Sequence, residues 1–299
     1  MPTITCFGEV LWDVFPTHKK IGGAPLNVAL RLNSFKNNTY IISSVGDDSD
    51  GKEVLAYIRD HGMKTSSIQI DKMHKTGCVH VTLNKKGSAT YEIEYPVAWD
   101  NIMATEEAID MVRSSDALIF GSLACRDEVS KSSLLTLLPY AKMKVFDVNL
   151  RPPFYSVELL LDLMSKASFI KLNDEELIEI CNALKVDTTS MEEQIKFLST
   201  YTNTDQICVT LGKHGAILLY DGRLYRNKGY KIKVADTVGA GDSFLATLIS
   251  NLLNKKEPKQ ALDIASAVGA MVAGKEGANP VITNSEIDAF MSNPLNKNE

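Results

Sequence analysis

The sequence lacks the patterns that mark disulfide-stabilised, zinc-binding and membrane-spanning proteins. Its five cysteines are odd in number, scattered and without a CxxC pair, so neither a disulfide framework nor a zinc site is expected. The five histidines show no metal-ligand spacing of the HExxH kind. No apolar run approaches the about 18 residues of a transmembrane helix, and the first residues do not resemble a secretory signal. We therefore expect a cytoplasmic protein with no membrane partner.

Positive charge is scarce as well. Lys and Arg number 32 against 37 Asp and Glu, a formal net charge of -5, which removes the driving force for binding nucleic acid. One basic stretch, residues 226–233, alternates with apolar positions and predicts the solvent side of a strand. A hydrophobic fraction of 44% with 23% charged residues is typical of a globular enzyme.

What the chain does contain is a long alternation of short apolar runs and helix-period segments. This rhythm predicts an α/β fold, a Rossmann-like and mostly parallel sheet with helices on both faces, over residues 1–299 as one domain. Predicted strands cover residues 4–10, 40–45, 117–120, 144–148, 169–172 and 206–210, and a late hairpin covers 216–226. Predicted helices cover residues 27–35, 51–61, 105–113, 128–141, 156–166, 174–183, 190–200, 241–253 and 258–273.

Two segments interrupt this rhythm. Residues 76–83 and 89–94 alternate apolar and polar side chains around the turn at 84–88, which predicts a half-exposed hairpin. We expect a small antiparallel β lid inserted at about 12–22 and 71–98. If the lid has an apolar exposed face, two copies of the chain could pair through it as a homodimer.

The most distinctive segment is a glycine turn that opens directly into a helix. Gly239, Ala240 and Gly241 precede an apolar helix-period stretch, and a helix N-terminus with free N–H groups and no bulky side chains can hold an anion. Asp242 lies in the first helical turn, where its carboxylate could accept the proton of an attacking hydroxyl. The alternative interpretation is that Asp242 or Ser243 only caps the helix.

A second glycine pair lies near the start of the chain. Gly22 and Gly23 allow a ligand close to the backbone, and Asn27 offers both a donor and an acceptor to sugar hydroxyls. Asp13 lies just upstream, and its carboxylate could accept hydrogen bonds from two sugar hydroxyls at once. A plain turn before a helix explains the same residues without a ligand.

Polar residues also follow the predicted strands, where ligands bind in parallel sheets. Arg151 could neutralise phosphate charge or form a surface ion pair. Asn173 and Glu176 could organise hydrated Mg²⁺ or cap a helix. Gly212 and Gly215 could open a flat slot for a nucleotide or form a tight turn.

Two familiar nucleotide-binding loops are missing. The sequence has no GxxxxGK[ST] motif, and Phe244 stands where a dinucleotide fingerprint needs its third glycine, which argues against a dehydrogenase. A sugar- or nucleotide-binding module without turnover is a further alternative, against which the intact Asp242 and Arg151 count.

Taken in order, these segments resemble the PfkB (ribokinase-like) carbohydrate kinases. The segment 236–244 resembles the D-T-x-G-A-G-D signature of that family, and 22–29 resembles its N-terminal glycine motif. The segments 8–13, 147–151 and 210–215 follow the same order. The resemblance implies a ribokinase-like core with a β lid over the sugar, and ATP as the donor with Mg²⁺.

The resemblance also implies roles for individual residues. Asp242 would be the general base, with Gly239, Ala240 and Gly241 as the anion hole and Arg151 near the γ-phosphate. Sugar contacts would come from Asp13, Gly22, Gly23 and Asn27, and nucleotide contacts from Asn173, Glu176, Thr210, Gly212 and Gly215. Many members bind a monovalent cation such as K⁺, which would here be held by Asp236 and Val238, with carbonyls of Val272, Lys275 and Gly277.

The substrate is indicated by a smaller set of residues. Pro25 after the paired glycines resembles the fructokinase branch, whereas ribokinases and 1-phosphofructokinases usually carry Lys after them. This favours fructose and ATP as substrates and fructose 6-phosphate as product. Ribose, 2-keto-3-deoxygluconate and nucleosides such as adenosine stay open, since pocket contacts of about 1–3 kcal/mol switch such preferences.

Overall fold

The computed structural model describes residues 1–83, 89–296 and 298 of the chain. Its strands are β1 (Thr3–Phe7), β2 (Leu11–Val14), β3 (Lys19–Gly22), β4 (Asn38–Gly46), β5 (Ile68–Asp71), β6 (Gly77–Leu83), β7 (Ala89–Ile93), β8 (Ala117–Gly121), β9 (Lys144–Asp147), β10 (Phe169–Asn173), β11 (Ile207–Thr210), β12 (Ala216–Tyr220) and β13 (Arg223–Asn227). Its helices are α1 (Ala24–Ser34), α2 (Ser49–Asp60), α3 (Glu106–Ser114), α4 (Glu128–Leu137), α5 (Val157–Lys166), α6 (Asp174–Ala183), α7 (Met191–Thr202), α8 (Ala240–Leu253), α9 (Pro258–Ala273) and α10 (Asn284–Ser292).

The main sheet has nine strands in the order β13-β12-β11-β10-β9-β8-β1-β4-β5. The strands from β11 to β5 run parallel, and β12 and β13 are added antiparallel at one edge. Because parallel strands all end at the same edge of a sheet, the loops after β1, β9, β10 and β11 are gathered there.

Alternate residues of the central strands face two separate apolar cores. Ile119 and Val145 pack on the side that holds α1, α2, α8 and α9, whereas Phe120 and Phe146 pack on the side that holds α3 to α7. The prediction of a mostly parallel sheet with helices on both faces is confirmed.

The second sheet has the order β3-β2-β6-β7 and forms the predicted lid. The hairpin of β6 and β7 is antiparallel as expected, as is the pair of β2 and β3. The two pairs are joined by parallel pairing of β2 with β6, so the lid is a mixed sheet rather than a purely antiparallel one. The turn at 84–88 lies outside the described residues. The lid-paired homodimer stays a prediction.

Several sequence expectations need correction. The basic stretch 226–233 is not a continuous strand, because β13 ends at Asn227 and the chain then turns through Gly229, whose φ is 81°. The strand β5 and the helix α10 were not predicted. The turn between β12 and β13 was predicted correctly, and both Asp221 and Gly222 have the positive φ that a tight hairpin needs.

No helix in the described part of the chain is long and apolar enough to cross a membrane. The cellular compartment stays a prediction.

Candidate active site

Asp242 lies where the sequence predicts, in the first turn of α8 at the carboxyl edge of the main sheet. Gly239 precedes the helix with φ 75°, and a Cβ at this position would lie 2.6 Å from atoms of Ala278. Only glycine fits that backbone and that space. The turn therefore brings the first N–H groups of α8 beside the Asp242 carboxylate.

Asp242 is hydrogen-bonded across the molecule to the N-terminal glycine motif. Its Oδ2 accepts from the side-chain amide of Asn27 at 2.8 Å. Although part of the side chain reaches solvent, burial raises the pKa of Asp242 to about 6, and the negative charge of Asp147 acts in the same direction. The amide of Asn27 and the positive charges of Lys171 and Arg151 oppose that rise in pKa. A carboxylate of this proton affinity suits a general base near neutral pH.

A buried ion pair lies beneath the glycine turn. Lys171 Nζ contacts Asp147 Oδ1 at 2.9 Å, and a Cβ placed on Gly241 would be 3.4 Å from the same Nζ. Burial alone would lower the pKa of Lys171, but the charges of Asp147, Glu176 and Asp242 more than offset this and raise it. The glycine turn of α8 thus has a fixed positive charge beside it.

Asn173 and Glu176 form a capping box at the start of α6. Asn173 Oδ1 accepts from the Glu176 N–H at 2.8 Å, and Glu176 Oε2 accepts from the Asn173 N–H at 2.8 Å. The second oxygen, Oε1, accepts from the Leu150 N–H at 2.9 Å. The capping alternative is therefore realised in the structure. The Mg²⁺ role of these two residues stays a proposal.

The lid brings Asp13 next to the glycine pair. A Cβ on Gly22 would lie 2.3 Å from Asp13 Oδ2, so the glycine leaves room for that carboxylate. Burial raises the pKa of Asp13 to about 6, against the positive charges of Arg151 and Lys20. Asp13 and Asp242 are both influenced by Arg151, which is itself exposed at the loop after β9.

Glu9 is a buried carboxyl group in the same region, 3% exposed, and its Oε2 has no hydrogen-bond partner among the described residues. Burial raises the pKa of Glu9 to about 7, and the charge of Asp242 adds to the rise. A Cβ on Gly23 would lie 2.4 Å from the Glu9 carbonyl oxygen, so the chain after β1 packs directly against the start of α1.

A cleft of about 850 Å³ opens on the other side of the glycine turn. The predicted nucleotide residues Thr210, Gly212 and Gly215 line it together with Ala240 and Gly241. The misassigned stretch after β13 forms another part of its wall, through residues 228–232. The cleft is large enough for a ligand of nucleotide size and reaches the glycine turn of α8.

The predicted cation residues lie at the junction of two loops. Asp236 Oδ1 accepts from the Val238 N–H at 3.0 Å, and Oδ2 accepts from the Gly277 N–H at 3.3 Å. The Val272 carbonyl accepts from the Lys275 N–H at 2.9 Å at the end of α9. The residues are brought together, but in the described part of the chain no group of three His, Cys, Asp or Glu side chains forms a metal cluster.

Sequence reasoning assigned no role to Glu9 and Asp147, although both lie in segments that it singled out, 8–13 and 147–151, and it missed Lys171 and Asn279 altogether. Lys171 had one usable signal, since it interrupts an otherwise apolar strand two residues before Asn173. An inward-facing charge in a buried strand indicates an ion pair or a site.

The fold is an α/β core with a lid, and a carboxylate of raised pKa, the glycine turn of α8 and a cleft meet at one edge of its main sheet. The model of the pfkB family carbohydrate kinases matches residues 3–284, nearly the whole chain. The chain belongs to this family of sugar kinases.

Individual relatives agree with this assignment. The chain is 28% identical over 309 residues to a fructokinase of Solanum tuberosum, covering 95% of this chain and 93% of the relative. It has a TM-score of 0.84 to a fructokinase double mutant from Vibrio cholerae O395 in a form with fructose, ADP and potassium ion bound, at 23% identity and 98% and 99% coverage. It has a TM-score of 0.85 to a 2-dehydro-3-deoxygluconokinase of Thermotoga maritima, at 18% identity and 98% coverage of both chains. Both structural likenesses show the fold alone.

Proposed function

We propose that this sugar kinase transfers the γ-phosphoryl group of ATP to D-fructose and forms fructose 6-phosphate and ADP. The observation that carries the proposal is Asp242, a carboxylate with raised pKa beside the glycine turn of α8 and within hydrogen-bond distance of Asn27. Base, anion turn and sugar-binding amide then meet at one point.

In the proposed reaction the Asp242 carboxylate takes the proton of the sugar hydroxyl as its oxygen attacks the γ-phosphorus. The bond from that phosphorus to the β-phosphate bridging oxygen breaks, and ADP leaves. The N–H groups of Gly239 and Gly241 stabilise the negative charge on the transferred group. The Ala240 N–H joins them once it leaves its 3.3 Å bond to the Thr237 carbonyl, and Lys171 adds a positive charge nearby. Arg151 would neutralise charge on the phosphoryl group as it reaches the sugar.

The site also fits the cations that the proposal needs. Asp147 Oδ2 is buried without a partner in the described part of the chain, an arrangement that favours a nearby cation. With ATP bound, Asn173, Glu176 and Asp147 would hold Mg²⁺ through water, and the ion would neutralise phosphate charge. A monovalent cation held by Asp236 and Val238, with carbonyls in 272–277, would fix the backbone of the anion turn.

Fructose is the favoured sugar because of Pro25 and because fructokinases are among the relatives by sequence, including the one from Solanum tuberosum. 2-Keto-3-deoxygluconate, which the sequence motifs leave open, is the second candidate. Ribose and adenosine complete the set that must be tested.

The test is a coupled ADP-release assay over these four acceptors, with Mg²⁺ and with or without K⁺. We expect the highest kcat/KM with fructose and a fall of about 10²–10⁴-fold in kcat for Asp242→Asn. Asp110→Asn on the surface of α3 is the matched control and should retain full activity. Sugar binding without ADP release would instead support a binding module, and full activity of Asp242→Asn would exclude the base assignment.

A further inference from the structure

Asn279 continues the hydrogen-bonded chain that ends on Asp242. Its side-chain amide donates to Asn27 Oδ1 at 3.0 Å, and the Asn27 amide in turn donates to Asp242 Oδ2 at 2.8 Å. Because these three residues are far apart in the sequence, they meet only in the folded chain. The direction of the chain of bonds runs from Asn279 toward the carboxylate.

This direction matters because an Asn side chain can turn its amide by 180° at little intrinsic cost. If Asn27 turned, its carbonyl oxygen would face the Asp242 carboxylate, and two acceptors would repel each other. The donor from Asn279 fills the Asn27 carbonyl oxygen and leaves its NH₂ group toward Asp242. The Asp242 carboxylate only accepts and thus already favours this orientation of Asn27. Asn279, whose own Oδ1 is buried without a partner in the described part of the chain, adds a second preference for it.

The segment that carries Asn279 is fixed on both sides to the start of α8. Ala278 packs against Gly239 so closely that no Cβ fits between them. On the other side the Pro280 carbonyl accepts from Arg31 Nη2 at 2.9 Å, and Arg31 Nε donates to Ser243 Oγ at 3.0 Å. Asn279 is thus held between two contacts with the helix that presents the base.

The charged groups that act on Asp242 come from other elements. Asp147 on β9 and Glu9 after β1 disfavour its ionised form, whereas Lys171 on β10 and Arg151 after β9 favour it. Within the described structure, the Asn279 side chain is hydrogen-bonded to Asn27 and to none of these charged groups. A change at Asn279 can therefore reach Asp242 through Asn27 while the charged groups stay in place.

We propose that Asn279 is a positioning residue that orients the Asn27 amide toward Asp242 and so keeps the base ionised. The inference rests on the proposed function of Asp242. It adds to that function a residue that contacts neither the reacting hydroxyl nor the phosphoryl group.

The experiment compares wild type with Asn279→Leu and Asn279→Asp, measuring kcat/KM for fructose between pH 5 and 9 at saturating ATP. Leu removes the donor, and Asp removes it and adds a negative charge at nearly the same volume. At low pH, kcat/KM falls as Asp242 is protonated, and we call this part of the pH profile the acid limb. We expect the pH at its midpoint to rise from wild type to Asn279→Leu and again to Asn279→Asp. For Leu the activity at pH 5.5, relative to its own plateau, should fall about three- to tenfold below wild type.

The plateau at high pH and the KM for ATP should each change by less than about threefold, because the anion turn is untouched. Asn182→Leu on the exposed surface of α6 is the control and should leave the limb unchanged. Should the Leu variant fail to fold, the nearly isosteric Asp variant carries the test alone.

An unchanged acid limb in both variants overturns the inference, and so does an equal loss of activity at every pH, which is what a purely structural role produces. A wild-type enzyme with no sugar-dependent ADP release would overturn the proposed function instead, and the two failures are thus distinguishable.

Discussion

At the scale of single residues, the site holds carboxyl groups that are costly to ionise. Burial raises the pKa of Asp242 and Asp13 to about 6 and that of Glu9 to about 7. Because the folded pKa of Asp242 exceeds its ordinary value of 3.8, the folded state binds more protons than the unfolded chain between about pH 4 and 6. The contribution of Asp242 to stability is thus largest below pH 4 and is lost as the pH rises through 6.

Asp242→Asn should therefore stabilise the protein at neutral pH while removing its activity. Asn can still accept the hydrogen bond from Asn27, so only the cost of the charge is removed. We expect the free energy of unfolding to rise by roughly 1–3 kcal/mol at pH 7.5 and by about half as much at pH 5. Urea unfolding at the two pH values measures this, and a variant that is less stable than wild type at pH 7.5 would contradict it.

The ion pair of Lys171 and Asp147 gives a second prediction at this scale. Lys171→Met leaves the Asp147 carboxylate buried and unpaired, so the free energy of unfolding should fall by about 3–5 kcal/mol. The half-exposed pair of Lys166 and Asp162 is the matched control, and Lys166→Met should cost less than about 1 kcal/mol. Adding Asp147→Asn to Lys171→Met should restore much of the loss, and failure to do so would argue against the pair as its cause.

Individual residues also show how much of the candidate site can be predicted from the sequence. Asp242 and Asn27 are hydrogen-bonded to each other, and each stands in a local glycine motif that can be found in the sequence. Asn279 carries no local signal, since its contact with Asn27 spans 252 positions and depends on how the loop after α9 packs. Such contacts are set by tertiary packing, which periodicity and turn chemistry do not encode.

At the scale of elements, two glycines at the start of α8 have different structural roles. Gly239 has φ 75° and no room for a Cβ, whereas Gly241 has ordinary helical geometry and faces Lys171 Nζ at 3.4 Å from its notional Cβ. The first glycine is required by the turn, and the second keeps space open above the buried charge.

Alanine should distinguish these two roles. Gly239→Ala should lower the free energy of unfolding by about 2–4 kcal/mol through backbone strain and overlap with Ala278. Gly241→Ala should leave stability within about 1 kcal/mol, since Ala favours helices, but reduce kcat at least about tenfold by crowding the anion turn. Thermal unfolding and the ADP-release assay measure both, and full activity of Gly241→Ala would exclude an anion at this turn.

Elements with strong periodicity or a defined turn were predicted well, and those without were not. The strands β8 to β12 and helices α3 to α9 follow apolar runs that one sheet face or one core requires. The four-residue strand β5 is only half-buried at the sheet edge, so its apolar pattern is weak. The stretch 226–233 alternates like a strand, but Gly229 turns the chain into the wall of the cleft, where its backbone packs closely against Lys213 and Gly215.

At the scale of the whole molecule, the site joins the two ends of the sequence. Arg31 on α1 is 1% exposed and bonds both to Ser243 and to the Pro280 carbonyl, residues 212 and 249 positions away. Burial lowers the pKa of Arg31 to about 10, so the side chain remains charged at neutral pH. The helices α1 and α8 and the loop after α9 thus depend on one another for their positions.

We predict that the chain unfolds in one step, as one domain. Arg31→Met should lower the free energy of unfolding of that whole domain. The substitution leaves Ser243 and the Pro280 carbonyl without their buried donor, which should lower the free energy of unfolding by about 2–4 kcal/mol. Arg31→Lys keeps the charge but can satisfy fewer of these contacts, so its loss should be smaller. Urea unfolding followed by the fluorescence of Trp12 and Trp99 and by far-UV circular dichroism should give coincident transitions for wild type and both variants. Since Trp12 reports on the lid and circular dichroism on the whole fold, two separated transitions would show that the lid and the core are independent units, and the dependence of the site on long-range contacts would then have to be abandoned.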